Sequence, residues 1–252
     1  MAVLAPLLTT ADPITIDIKN RFAGPSLQHL FGTDHFGRDV YTRVLYGSRI
    51  SLQVAVVSVV FALAVGVPLG AIAAYAGGAV DNIVMRAMDA LLAFPSIMLA
   101  LLLRFVLGPS ITSVMLAIAI IRVPVLARTV RGSVLAEREK DYVTAARAVG
   151  QTGFRILFRH ILPNVLGPLM VLATVFFGNA ILIEAGMSFL GIGTPPPNPS
   201  WGGMLNDTRP YIELHPYLAL APGLAIFLAV LGINLFGDAL RDALDPRLVY
   251  KH

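Results

Sequence analysis

The sequence contains no cysteine among its 252 residues. That excludes disulfides and thiolate metal centres. Its five histidines are scattered, with no spacing that gathers a metal site. Charge is scarce: 13% of residues are Asp, Glu, Lys or Arg, where soluble domains average about 25%. No G-x-x-x-x-G-K-S/T run occurs, so this chain does not itself cradle nucleotide phosphates. Gly191-Ile192-Gly193 runs into prolines and is not a dinucleotide turn. H-E-x-x-H and G-x-S-x-G are both missing, and nothing gathers Ser, His and Asp, so catalysis by this chain is not expected. Low-complexity sequence is confined to Pro195–Pro197.

What is abundant is apolar. Hydrophobic residues make up 56% of the chain, and the mean hydropathy is +0.76. Five intervals approach the roughly 20 residues a bilayer requires: about 51–75, 87–107, 111–127, 165–189 and 217–236. The first is uncharged, and its Gly66 and Gly70 stand four apart, which permits close helix contact. Pro95, Pro124, Pro168 and Pro222 lie within or at the edges of spans, where they set kinks or flexing points. The fold class expected is all-α and polytopic. A short amphipathic helix is expected around Val40–Tyr46.

The net charge of +4 sits in loops beside these intervals, a positive-inside pattern rather than a nucleic-acid stripe. Asp141–Asn164 is the most prominent such loop, with Arg147, Arg155 and Arg159 inside it and Arg128, Arg131, Arg138 and Lys140 before it. Placing it inside puts Gly191–His215 outside and the tail from Asp238 inside. Working backwards, Gly77–Asp81 falls inside and Thr9–Arg49 outside. That exports Lys19, Arg21, Arg38, Arg43 and Arg49 with nothing ahead of them. A further span before residue 1 is therefore expected. The expected domains are an outer segment 1–49, a membrane domain 50–236 with an inner loop about 128–164 and an outer loop about 190–216, and an inner tail 237–252.

Within the inner loop, Tyr142–Val149 favours a helix that Gly150 ends in a left-handed cap. Phe154–Leu162 has apolar residues at 154, 157, 158 and 161, which is helical spacing. Pro163 stops that helix or opens the next element. The loop is thus expected to form two short helices at a sharp angle, with Ala145 and Ala146 keeping the tip small enough for a groove in another protein.

Thr144-Ala145-Ala146, Gly150 after three more residues, and Leu162-Pro163 resemble the EAA loop of ABC-importer permease subunits. Thr144 stands where the family has Glu, and His160 where it has Ile. GTDHFGRDV from Gly32, ILIEAGMSFLGIG around Glu184 and DALDPRL at Asp242–Leu248 extend the resemblance over nearly the whole chain. It is strongest to the C-type subunit of the peptide/nickel group. The resemblance implies a type I permease fold with five spans here and the family's first span missing. It implies that Thr144, Ala145, Ala146, Gly150, Leu162 and Pro163 couple to an ATPase. The partners implied are a second related permease, two cytoplasmic ATPase subunits, a periplasmic solute-binding protein at Gly191–Tyr217, and the bilayer of a bacterial inner membrane. This chain would bind no cofactor or metal, and ATP would be hydrolysed by the partner subunits. The function implied is import of di- or oligopeptides. Nickel or another small solute is the alternative cargo, and an ion-coupled secondary transporter the alternative class.

Four charges fall in or beside spans: Asp89, Arg104, Arg122 and Glu184. Such residues are costly and are usually paired or functional. Arg104 and Glu184 either pair with one another or reach separately for the interface. Asp89 pairs with a loop arginine or caps its helix. Glu184 is expected to be structural or gating, and Arg122, the deepest, to face a cavity between subunits.

Overall fold

The computed structural model describes residues 5–244. The end of the tail, with residues 245–248 of the DALDPRL motif, lies outside them. Among the described residues the regular structure is helical, apart from an isolated bridge between Thr33 and Asp39. The helices are α1 (Ala5–Leu8), α2 (Val40–Ala76), α3 (Gly78–Leu92), α4 (Ser96–Leu107), α5 (Ile111–Arg138), α6 (Asp141–Ala148), α7 (Gly153–Ile156), α8 (Leu162–Phe189), α9 (Trp201–Thr208) and α10 (Tyr217–Leu244). A π-helical turn, Leu157–Ile161, joins α7 to α8.

Among the described residues four stretches are long and apolar enough to cross a membrane: Val40–Ala76, Ile111–Arg138, Gly153–Phe189 and Tyr217–Ala243. The interval expected at 87–107 is not one straight helix. It is broken between α3 and α4, which meet at 94°. Pro95 explains the break. It has no N–H to donate, and it disfavours helical backbone at Phe94. The amphipathic helix expected at Val40–Tyr46 is real but not separate. It forms the first turns of α2, opened by the Asp39 carboxylate accepting from the Thr42 N–H at 2.8 Å. At the other end, α10 continues through the first residues of the expected tail as far as Leu244.

The chain forms two compact units. One comprises Met1–Val57, Ala100–Ile118 and Phe177–Gly232; the other comprises Ser58–Leu99, Ala119–Phe176 and Ile233–His252. In the first, the polar segment before α2 is held by ion pairs. Arg43 is only 4% exposed. It donates to the Pro13 carbonyl at 3.1 Å and lies 3.6 Å from Asp34 and 3.5 Å from Asp207. Arg38 bonds Asp34 at 2.6 Å and Asp207 at 3.3 Å. Phe22 stacks on His215 at 4.3 Å between ring centroids, and Val40, Met204 and Leu218 form the apolar cluster below.

In the second unit, Gly66 and Gly70 lie against Leu126 and Ala127 of α5. A Cβ on Gly70 would overlap the Ala127 carbonyl. The spacing of these glycines in the sequence thus reports a real helix contact.

Candidate functional site

The inner loop is an elbow built from its own polar side chains. Helix α6 buries Val143 and Ala146 and leaves Thr144, Ala145, Arg147 and Ala148 exposed. Gly150 has φ +78° with open space around it, and its N–H bonds the Arg147 carbonyl at 2.9 Å. This is the left-handed helix end expected there. The second arm differs from expectation. It is not a separate short helix but one run, α7 through the π turn into α8, and of the two roles expected for Pro163 it takes the second, opening the next element in the first turn of α8. The apolar set 154, 157, 158 and 161 accordingly splits. Leu157 and Ile161 are buried, whereas Phe154 is 73% and Phe158 40% exposed. A π turn adds a residue to the helical turn and rotates the residues after it, so one 3.6-residue stripe cannot persist across it.

Tyr142 holds the elbow together. Its hydroxyl donates to Glu137 Oε1 at 2.8 Å and accepts from Asn164 Nδ2 at 3.2 Å. The same Asn164 amide reaches the His160 carbonyl at 2.9 Å, and the His160 ring meets Gln151 Oε1 at 2.7 Å. Burial raises the Tyr142 pKa, so the phenol remains a donor at neutral pH. Lys140 pairs with Glu137 at 2.7 Å, and that carboxylate raises the Lys140 pKa. Arg138 donates to the Ala74 and Tyr75 carbonyls at 3.2 and 3.4 Å, satisfying the end of α2. The Tyr75 ring then packs on Gly153, where a Cβ would lie 2.8 Å from Cε1. The elbow is therefore fixed to the ends of α2, α5 and α8. Sequence reading missed Tyr142 and Asn164. Neither lies at a motif position, and hydropathy carries no information about hydrogen-bond partners.

The four charges fare differently. Glu184 is fully buried and accepts from Ser188 Oγ at 2.7 Å, Ser51 Oγ at 3.0 Å and Thr194 Oγ1 at 3.3 Å. Ser188 Oγ in turn accepts from the Thr194 N–H at 3.1 Å and from Ser200 Oγ at 3.2 Å. Trp201 closes the network, its backbone N–H on Ser51 Oγ at 3.4 Å and its indole N–H on the Val44 carbonyl at 3.0 Å. Arg104 does not pair with Glu184. It donates to the Gly193 carbonyl at 2.6 Å. Each residue therefore anchors the start of the outer loop by its own route. Asp89 pairs with Arg128, and Asp81, about two turns earlier on α3, forks onto Arg131 at 2.6 and 2.5 Å. Arg122 lies over the Phe176 ring at 5.4 Å, and its Nε is buried with no hydrogen-bond partner.

This arrangement holds buried polar groups in fixed places around membrane-length helices. Among the described residues no cluster of three or more metal-ligating side chains occurs. The likenesses to known proteins agree with a transport role. Residues 66–250 match the family described as the inner membrane component of binding-protein-dependent transport systems. The dipeptide transport system permease protein DppC of Alkalihalophilus pseudofirmus is 49% identical over 98% of this chain and 82% of its own. The glutathione transport system permease protein GsiD of Escherichia coli O6:K15:H31 is 46% identical over 92% of this chain and 77% of its own. A chain of the MetNI methionine ABC transporter in an inward-facing conformation shares the fold, with TM-score 0.68 over 81% of this chain and 96% of that one at 19% identity. The chain is therefore a multi-pass membrane protein of the family of binding-protein-dependent transport system inner membrane components.

Proposed function

We propose that this chain is one permease subunit of a bacterial inner-membrane importer that carries di- or oligopeptides, powered by separate ATPase subunits. The observation that carries the reading is the likeness to a dipeptide permease at 49% identity over 98% of the chain. The full assembly comprises a second, related permease, two cytoplasmic ATPases and a periplasmic binding protein. The chain binds no cofactor and catalyses no reaction of its own. ATP closes the ATPase pair, and the elbow carries that motion into the spans, which open outward to receive peptide. Such coupling requires that each ligand favour one state over the other.

The elbow supports this role on two counts. It is tied to the α2, α5 and α8 ends by Arg138, Tyr142 and Asn164, so a push on its tip is not dissipated in a loose loop. Its free side is apolar and basic together, with Val149 76% and Phe154 73% exposed beside the exposed Arg147 and Arg155. Thr144, Ala145 and Gly150 lie on that side; Leu162 and Pro163 set the start of α8. Ala146 packs inward instead, so in the coupling role it backs the tip rather than touching the motor.

The test uses single cysteines, which the cysteine-free sequence makes specific. At positions 145 and 150, thiol cross-linking in membranes is expected to capture an ATPase subunit, more in the nucleotide-free complex than with ATP bound. Peptide uptake should stop when ATP is depleted while a proton gradient persists. Uptake that tracks the gradient instead, with no capture at either position, defeats the proposal.

A further inference from the structure

Arg122 lies eleven residues into α5, counted from Ile111. At 1.5 Å per residue that is about 16 Å along the helix, near the middle of a hydrocarbon core about 30 Å thick. A cation at that depth is expensive and faces the bundle interior or a water-filled cavity. The other arginines within or beside spans that are not exposed each meet an oxygen partner: Arg43 and Arg104 carbonyls, Arg131 a carboxylate, and Arg138 the end of α2, although the Arg138 Nε is itself buried without one. Among the described residues Arg122 meets only the face of Phe176, and its Nε is buried without a partner.

Snorkelling does not account for it. The inner charged end of α5 begins at Arg128, about 9 Å further along. Side chains on a helix lean toward its N-terminus, so Arg122 leans away from that end.

The helix face around it is also unlike a lipid-facing one. At 100° per residue, Arg122, Val125, Thr129, Gly132 and Ser133 fall within one stripe about 100° wide. All five are at least partly exposed. Two carry hydroxyls and one has no side chain. Elsewhere in the same unit the exposed surface includes large apolar side chains such as Ile83, Phe94, Ile97 and Met98, each more than half exposed. An unpaired cation heading a small, polar, open stripe is what an aqueous route offers to an anion.

We propose that Arg122 receives the C-terminal carboxylate of the peptide in transit. This rests on the peptide-import reading above. Every peptide carries that group whatever its sequence, so one fixed cation serves a carrier of varied cargo. The guanidinium fork meets a carboxylate through two parallel N–H donors, and the Phe176 ring holds the fork in place from one side. Arg122 contributes to cargo orientation and to the preference for free acids. It takes no part in ATP use.

The experiment reconstitutes the complete importer in proteoliposomes and compares radiolabelled trialanine with trialanine amide at equal occupancy of the binding protein. The quantity measured is the ratio of their entry rates in wild type, Arg122→Gln and Arg122→Lys. Expected is a ratio of about ten or more in wild type, close to one in Arg122→Gln, and intermediate in Arg122→Lys, with the complex intact in all three. A ratio unchanged by Arg122→Gln overturns the inference, whether or not both rates fall. Loss of the second permease from the purified Arg122→Gln complex also overturns it, since the carboxylate would then belong to the partner. A wild-type importer that admits neither peptide would instead refute the peptide-import reading.

Discussion

Removing the Glu184 carboxylate should release the outer loop from the helices beneath it. Ser51 is fully buried and Ser188 is 3% exposed, and both hydroxyls donate to this one side chain. Leaving a buried donor unsatisfied costs about 1–3 kcal/mol. Two such donors set a range of about 2–6 kcal/mol for Glu184→Ala. The hydroxyls can turn toward other acceptors, so we take about 3 kcal/mol. Glu184→Gln keeps one acceptor oxygen and should cost about 1.5 kcal/mol, the worth of one charge-assisted bond. Because Ser188 also accepts from Thr194 and Ser200, the loss falls on the stretch from 194 to the start of α9.

A cysteine at Met204 reports that loss directly. Met204 is 5% exposed on α9, so labelling needs the segment to lift. The chain has no other cysteine, and its gel band isolates the signal from partner subunits. When reclosing outpaces labelling, the rate tracks the open population. A cost of about 3 kcal/mol then means roughly a hundredfold faster maleimide labelling for Glu184→Ala, and about tenfold for Glu184→Gln. Acceleration of less than about threefold by Glu184→Ala, in the same Met204→Cys background, would refute the idea that this carboxylate pins the loop.

Two further outcomes test the packing and the outer segment. Gly70→Ala should destabilise the complex by about 1–3 kcal/mol through overlap with the Ala127 backbone. Gly66→Ala should cost less, because its nearest contacts, Leu126 Cβ at 3.0 Å and the Val123 carbonyl at 3.2 Å, are tight but fall short of the overlap at Gly70. Melting of the two variants in one detergent checks the order, and equal melting would contradict the contact. His35 titrates below the ordinary histidine value of 6.5, because burial disfavours its cation more than Asp34 and Asp207 favour it, with Arg38 and Arg43 opposing it too. The unfolded segment then binds the proton more readily than the folded one, so the stabilisation is complete above about pH 6.5 and is lost as pH falls through the window just below. Limited proteolysis between Asp34 and Asp39 should accelerate over that window, and His35→Gln should flatten the profile.

The sequence carried the parts of this structure that a regular spacing or a single residue's conformational limits can encode. Membrane-length apolar runs marked the long helices, the Gly66/Gly70 pair marked a helix contact, and Gly150 marked the end of α6. Pro95 was visible as a breaker, but its consequence was not, because proline in a span is compatible with a shallow kink or a full break. The structure has the full break, 94° between α3 and α4. Phe154–Leu162 failed for a different reason. A stripe count assumes 3.6 residues per turn throughout, and the π turn at Leu157–Ile161 violates that assumption in the middle of the stripe.

Buried polar networks were illegible for a third reason, and they bear most on function. Glu184 and Arg104 looked like candidate partners because both were charges placed toward the outer side. Each instead found neutral oxygens within its own reach: three hydroxyls for Glu184, a backbone carbonyl for Arg104. In a low-dielectric interior a charge needs satisfied hydrogen-bonding capacity more than it needs an opposite charge, and serines and threonines scattered over 51–194 supply it without leaving a pattern. The same physics singles out Arg122. Glu184 and Arg104 were completed by groups no spacing rule could have nominated, whereas among the described residues the Arg122 guanidinium meets a ring face and no oxygen, which is a physical difference between these sites. That difference places the unmet demand for an anion on whatever passes the exposed face of α5.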